Sequence, residues 1–303
     1  MSTSLAFVFP GQGSQSLGML AELGAQYPLI LDTFKEASDA LGYDLWALTQ
    51  QGPEALLNQT DRTQPAILTA SIALWRVWLD EGGARPAFVA GHSLGEYSAL
   101  VAAGAISLAD GARLVRERGR LMQAAVPAGT GAMAAVLGAE DAMVAEVCAQ
   151  VSGEEVVVPA NYNSPGQIVI GGHAAAVDRA LAELAARGVR KAVKLAVSVP
   201  SHTPLMRDAA RQLGEVMAGM QWRMPDRPVV QNADAGVQSS VDAIRDALVR
   251  QLYLPVRWTA PNALHLTVHF IGEVSIERAE LLRQVSQPPP AATETHRAPV
   301  ERG

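Results

Sequence analysis

Phe88-Val89-Ala90-Gly91-His92-Ser93-Leu94-Gly95-Glu96-Tyr97 is the stretch from which the rest of this chain can be read. The apolar run Phe88 to Ala90 predicts a short strand, and the alanine-rich stretch Tyr97 to Ala105 predicts a buried helix. Between them, Gly91-His92-Ser93-Leu94-Gly95 reads as a sharp turn, the strand–turn–helix context that a nucleophile elbow needs. Two glycines let the backbone bend tightly while a residue is held proud of it. The Ser93 hydroxyl then stands at a helix N-terminus, where free N–H groups stabilise negative charge. A plain glycine-rich turn is the alternative for so short a pattern, and the flanking elements favour the nucleophile.

Upstream, Leu5 to Phe9 predicts a strand ending in a glycine-rich loop, Pro10-Gly11-Gln12-Gly13-Ser14-Gln15. Helical patterns follow from about Tyr27 to Ala40 and from about Pro65 to Asp80. Alternating strands and helices imply a parallel sheet covered by helices, the α/β class. Downstream the rhythm changes. Met133 to Leu137, Glu155 to Pro159, Gln167 to Ile170 and Val193 to Val199 read as strands, and Asp141 to Val151 and Ala174 to Arg187 as helices. A turn is expected at Asn161 to Gly166. That β-α-β-β-α-β order is the ferredoxin-like unit. The chain then returns to the larger sheet through a helix, Pro204 to Met220, and a strand, Pro228 to Asn232. The expected division is a large α/β domain from residues 1–128 and 202–285, an inserted small subdomain at 129–201, and a proline-rich disordered tail at 286–303.

The chain has 303 residues, 49% of them hydrophobic and 18% charged, enough to bury a large core. Its net charge of −6 argues against a nucleic-acid partner, which would need a basic surface. The single cysteine, Cys148, excludes an internal disulfide and reads as a small core residue, and no metal-ligand spacing occurs. The first apolar run lacks the preceding Lys or Arg of a signal peptide, and no apolar run is long enough to span a bilayer. A cytoplasmic protein without a membrane partner is the expectation.

A serine nucleophile needs a base. Of the six histidines, His202 is favoured, because Val199-Pro200-Ser201-His202-Thr203-Pro204 joins a strand end to a helix start, where sites form in open α/β sheets. A helix-cap role is the alternative, but Ser201 or Thr203 already supplies it. His92 is expected to point away from the nucleophile, His173 to be exposed, and His296 to lie in the tail; His265 and His269 fall on an apolar stretch near the end. An oxyanion hole would take the N–H of Leu94 and that of Gln12, on the loop beside the elbow. That loop lacks the lysine and spacing of a phosphate-binding loop. Ser107 and Asp110 form a capping box, and the helix that follows has an apolar stripe of Leu114, Val115, Leu121 and Met122 with Arg118 in its middle. A guanidinium facing a core requires a partner, either a structural carboxylate or a substrate carboxylate. No acid stands out to complete a triad; Gln251 is a neutral group able to orient the imidazole.

Together these segments resemble the malonyl-CoA:acyl carrier protein transacylase family. The resemblance runs from about Leu5 to Thr259 and includes FVFPGQGSQ, TQPAILTASIALWRVW, AGHSLGEYSALVAAGAI, ERGRLMQ, GTGAMAAVLG, NYNSPGQIVIGG, SVPSHTPLM and IRDALVRQLYLPVRWT. It implies a hydrolase-like α/β large domain with a ferredoxin-like insertion. It also implies that Ser93 is acylated by malonyl-CoA and attacked by the phosphopantetheine thiol of acyl carrier protein, for fatty acid biosynthesis. His202 would be the base, Gln12 and Leu94 the oxyanion donors, Arg118 the malonyl carboxylate site and Gln251 the group holding the histidine. No bound cofactor or metal is implied, and a monomer is the simplest expectation. A serine thioesterase or esterase is the alternative, as is an inactive relative, because the sequence departs from the family after Trp258-Thr259. The Gly-Pro-Gly turn and final helix of the family are missing there. Leu264 to Val274 instead resembles one of the two His-x-Thr motifs of RNA cyclic phosphodiesterases, without its second copy.

Overall fold

In a computed structural model of the chain, residues 5–257 are described, apart from 128, 196 and 198. The expectations for the last strand and helix, for the His-x-Thr segment and for the proline-rich tail therefore lie outside the described residues. β1 (Ala6–Phe9) leads through α1 (Ala21–Gln26), α2 (Pro28–Leu41), α3 (Leu45–Gln51), α4 (Glu54–Leu57) and α5 (Thr60–Asp80) to β2 (Phe88–Gly91). α6 (Leu94–Ala102) and α7 (Leu108–Ala124) follow. A second region contains β3 (Gly131–Leu137), α8 (Asp141–Val151), β4 (Val157–Ser164), β5 (Gln167–His173), α9 (Ala174–Ala186) and β6 (Lys191–Lys194). The chain continues into α10 (Arg207–Ala218), β7 (Val229–Gln231), β8 (Gly236–Val237), α11 (Val241–Tyr253) and β9 (Val256–Arg257).

The first sheet has the order β1-β2-β7-β8, with β1, β2 and β7 parallel and β8 antiparallel to β7. Parallel strands need helical crossovers, and those helices bury the sheet. Phe9, Val89 and Val229 from the strands pack with Leu68, Leu100, Leu114, Leu213 and Leu248 from α5, α6, α7, α10 and α11. Each fully buried side chain of this size contributes roughly 1.5–3 kcal/mol. The capping box forms as read: Ser107 Oγ accepts from Asp110 N–H at 3.0 Å and donates to the Asp110 carboxylate at 2.8 Å.

The second sheet has the order β6-β3-β5-β4-β9. Its first four strands are antiparallel, with α8 and α9 packed beneath through Val147, Val177 and Leu184, as the β-α-β-β-α-β reading expects. Several details differ from the sequence reading. The strand expected at Val193 to Val199 is β6 at Lys191–Lys194, the residues that pair with β3. β4 extends through the expected turn to Ser164, with register shifts around Pro159/Asn161 and Tyr162/Ser164. Proline lacks the ladder donor, so it sits at an irregularity while the strand resumes beyond it. α5 begins at Thr60 rather than Pro65, because Pro65 lies within a fully packed turn of that helix. β9, only a dipeptide, adds to β4 in parallel, pairing Asn161 with Val256 and Tyr162 with Arg257. The segment that leaves α11 thus joins the two sheets next to the elbow.

Candidate active site

Ser93 lies between β2 and α6 at φ 52°, ψ −102°, a conformation that costs a non-glycine residue roughly 1–3 kcal/mol. Close packing enforces it. A Cβ on Gly91 would lie 2.0 Å from Gly95 O, and one on Gly95 would lie 2.2 Å from Phe9 O. The elbow therefore presses against the end of β1, and His92 N–H donates to Phe9 O at 3.1 Å. Gly95→Ala must push β1 and the elbow apart, and is expected to destabilise the chain by at least about 1–3 kcal/mol in chemical denaturation. Parent-like stability would show that the elbow yields easily.

His202 begins the segment that leads into α10, and the residue is 2% exposed. Nε2 lies 2.7 Å from Ser93 Oγ and Nδ1 lies 2.7 Å from the main-chain oxygen of Gln251. A carbonyl only accepts, so Nδ1 carries the proton and the Nε2 lone pair faces the serine hydroxyl. Burial, and after it the charge of Arg118, lowers the His202 pKa from 6.5 to about 3. The ring is therefore neutral at pH 7.

Arg118 is 1% exposed, in the apolar stripe of α7 where the sequence placed it. Its partners are neutral: NH1 donates to Gln64 Oε1 at 3.0 Å, and NH2 donates to Gln251 Oε1 at 3.0 Å and to Ser93 Oγ at 3.1 Å. The Tyr97 ring lies beneath it at 5.2 Å, and burial pushes that phenol up to about 12. Burial also lowers the pKa of Arg118, with Glu96 and Tyr97 opposing. Gln251 is a hub. Its Oε1 receives Arg118, while its Nε2 donates to Ser93 O at 2.8 Å and to Glu96 Oε2 at 3.1 Å.

Ser93, His202, Arg118 and Gln251 thus meet in one hydrogen-bonded cluster. Leu94 N–H opens α6 and has no acceptor within the helix. Gln12 is exposed on the loop after β1, its side chain donating to Thr60 Oγ1 at 3.4 Å. A Cβ on the neighbouring Gly11 would lie 2.7 Å from His92 O, so this loop lies against the elbow. His92 turns to β4, with Nε2 at 3.1 Å from Asn163 Oδ1 and 3.3 Å from Asn161 Nδ2. His173 is half-buried rather than exposed, and its Nδ1 accepts from Val156 N–H at 3.0 Å. Cys148 is buried, its thiol pushed up to about 12. His265, His269 and His296 lie outside the described residues. The sequence reading missed Gln64, Glu96, Asn161, Asn163 and Asn232. Only Glu96 carries a signal, as a charged residue within an otherwise apolar helical stretch.

A neutral imidazole on a strained serine, beside buried positive charge and helix N–H groups, is an arrangement on an α/β fold that could carry out serine-based acyl transfer. Residues 6–269 match the acyl transferase domain family, and the chain belongs to that family. It is 57% identical over 275 residues to the malonyl CoA-acyl carrier protein transacylase of Salmonella typhimurium, covering 91% of this chain and 87% of that one. The crystal structure of malonyl-CoA:acyl carrier protein transacylase from Xanthomonas oryzae superposes with a TM-score of 0.83 at 71% identity, covering 85% of this chain and 82% of the other. A malonyl-transacylase solved in complex with its type II polyketide synthase acyl-carrier protein superposes with a TM-score of 0.83 at 55% identity, covering 84% and 83%. Among the described residues no helix is long and apolar enough to cross a membrane, and no group of His, Cys, Asp and Glu could hold a metal ion.

Proposed function

We propose that this protein transfers a malonyl group from malonyl-CoA to the phosphopantetheine thiol of an acyl carrier protein, through a malonyl ester of Ser93. The step belongs to fatty acid biosynthesis. The observation that carries this reading is Arg118, a buried guanidinium whose partners are two amide oxygens and Ser93 Oγ. No carboxylate bonds the guanidinium directly: Glu96, whose charge opposes the effect of burial, reaches it only through Gln251, so a ligand carboxylate would supply the direct ion pair that a buried charge favours. In a malonyl thioester a single methylene separates the reacting carbonyl from the carboxylate. When that carbonyl carbon bonds to Ser93 Oγ, the carboxylate falls within reach of the guanidinium.

The chemistry follows from the hydrogen bonds. His202 Nε2 takes the proton from Ser93 Oγ as the oxygen attacks the thioester carbonyl. Leu94 N–H, and Gln12 N–H from the neighbouring loop, would hold the developing oxyanion. The C–S bond breaks and the CoA sulfur leaves with the proton from His202. In the second half-reaction the carrier thiol gives its proton to His202, attacks the ester carbonyl and releases Ser93 Oγ, which recovers that proton. No acid is needed behind the histidine, because Gln251 O fixes the Nδ1–H tautomer. The reading carries with it the division into residues 1–128 and 202–285 against 129–201, a monomer and a cytoplasmic setting.

Intact-mass spectrometry after brief mixing with malonyl-CoA tests the first half-reaction. The expected result is one malonyl adduct on the parent and none on Ser93→Ala, with loss of the adduct when holo-acyl carrier protein is added. Rapid release of malonate with no acceptor present would instead make the protein a thioesterase.

A further inference from the structure

Asn232 takes no part in the proton and charge steps, yet both ends of its side chain are committed to the elbow. Its Oδ1 accepts from Ser93 N–H at 2.7 Å, and its Nδ2 donates to Gly91 O at 2.8 Å. Asn232 follows β7, whose register against β2 pairs Val89 with Val229 and Ala90 with Val230. That register carries the asparagine to the level of the turn. Its own backbone is tied down as well: N–H donates to Glu96 Oε2 at 2.9 Å, and its carbonyl accepts from Arg257 N–H at 3.1 Å.

We propose that Asn232 is a positioning residue, an amide clamp that holds Ser93 in its strained, reactive conformation, with Glu96 anchoring the clamp. The inference rests on Ser93 being the nucleophile. A residue at φ 52° persists only where its surroundings over-determine it, and the Ser93 N–H, at the cap of α6, has no helical acceptor. One planar amide presents an acceptor and a donor side by side, which matches the adjacent Ser93 N–H and Gly91 C=O. A carboxylate would present a second acceptor to Gly91 O, and an apolar side chain would satisfy neither. Glu96 extends the device. Fully buried, it also accepts from Gln231 Nε2 at 2.8 Å and from Gln251 Nε2 at 3.1 Å. Gln251 in turn holds His202 Nδ1. One carboxylate therefore braces both the clamp on the serine and the residue that orients the base.

The test compares the parent with Asn232→Asp, Asn232→Ala and Glu96→Gln, using two probes of Ser93: rapid-quench acylation by malonyl-CoA, and labelling by phenylmethanesulfonyl fluoride. Both the rate constant and the final extent per chain are read by intact mass. In the Asn232 variants the expected result is a parent-like extent, with both rate constants falling between about ten- and a hundred-fold, as a small misplacement of a reacting group produces. KM for malonyl-CoA should stay near that of the parent. A lowered extent with a parent rate constant in the surviving fraction would overturn the clamp and make Asn232 a folding residue. If the Asn232 variants do not fold, Glu96→Gln decides: a several-fold slower rate at full extent supports the clamp, and an unchanged rate overturns it. A parent that neither probe labels would instead remove the Ser93 reading beneath it.

Discussion

Arg118→Ala is expected to lower kcat/KM for malonyl-CoA by roughly thirty- to several-thousand-fold, while that for acetyl-CoA changes by less than about ten-fold. Removing one partner of a desolvated charged pair costs roughly 2–5 kcal/mol, and only the malonyl substrate brings a carboxylate to lose that pairing. Arg118→Lys should recover a small part of the loss, because an ammonium keeps the charge but not the planar fork that a carboxylate matches. The substitution also frees Gln64 Oε1 and Gln251 Oε1, which now receive the guanidinium. A general loosening of the site would therefore slow both thioesters, and equal losses for malonyl-CoA and acetyl-CoA would reject the carboxylate role. Steady-state kinetics with the two thioesters make the distinction.

The second large effect is expected at His202. His202→Ala should slow acylation of Ser93 by roughly 10²–10⁴-fold, the usual contribution of a positioned general base, while the parent-like fold keeps malonyl-CoA binding. Retained acylation would mean that another group accepts the serine proton. The same histidine sets the pH dependence. Its pKa is lowered from 6.5 to about 3, first by burial and then by Arg118. The base is thus free throughout the neutral and mildly acidic range. The acid limb of kcat/KM should lie well below pH 6.5, and in Arg118→Ala it should move upward, since one of the lowering influences is gone. A limb near pH 6.5 in the parent would contradict the buried, neutral ring. The linkage runs the same way for stability. Below pH 6.5 the unfolded chain binds a proton that the folded chain refuses, so this group's part in stability is greatest above pH 6.5 and falls as the pH drops toward 3.

Local pattern made much of this protein legible. Strand, turn and helix around Ser93 follow from an apolar run, two glycines and an alanine-rich stretch, all within interactions that neighbours in sequence control. Arg118 stood out because helical periodicity places it among Leu114, Val115, Leu121 and Met122. His202 was singled out by an expected strand-to-helix junction, although β6 ends at Lys194 and His202 stands on the segment before Pro204. What periodicity could not supply was the partner of each group. Whether Arg118 meets a carboxylate or an amide depends on Gln64 and Gln251, brought in from α5 and α11. Gln251 was legible as a neutral residue near the histidine, but its main-chain oxygen, not its side chain, meets Nδ1, and every residue has such an oxygen.

The sequence by itself therefore determined the elements around the elbow, the main alternation of strands and helices, and the identities of the charged and nucleophilic side chains, because those depend on residue type and spacing along the chain. Tertiary structure alone decided the network. Asn161 and Asn163 read as turn residues until β4 ran through them toward His92, and Asn232 read as the end of a strand until β7 set it beneath Ser93. These pairings join residues far apart in the chain, and the register of two sheets selects them. No local propensity encodes that register, since it follows from which buried faces and polar groups can all be satisfied at once.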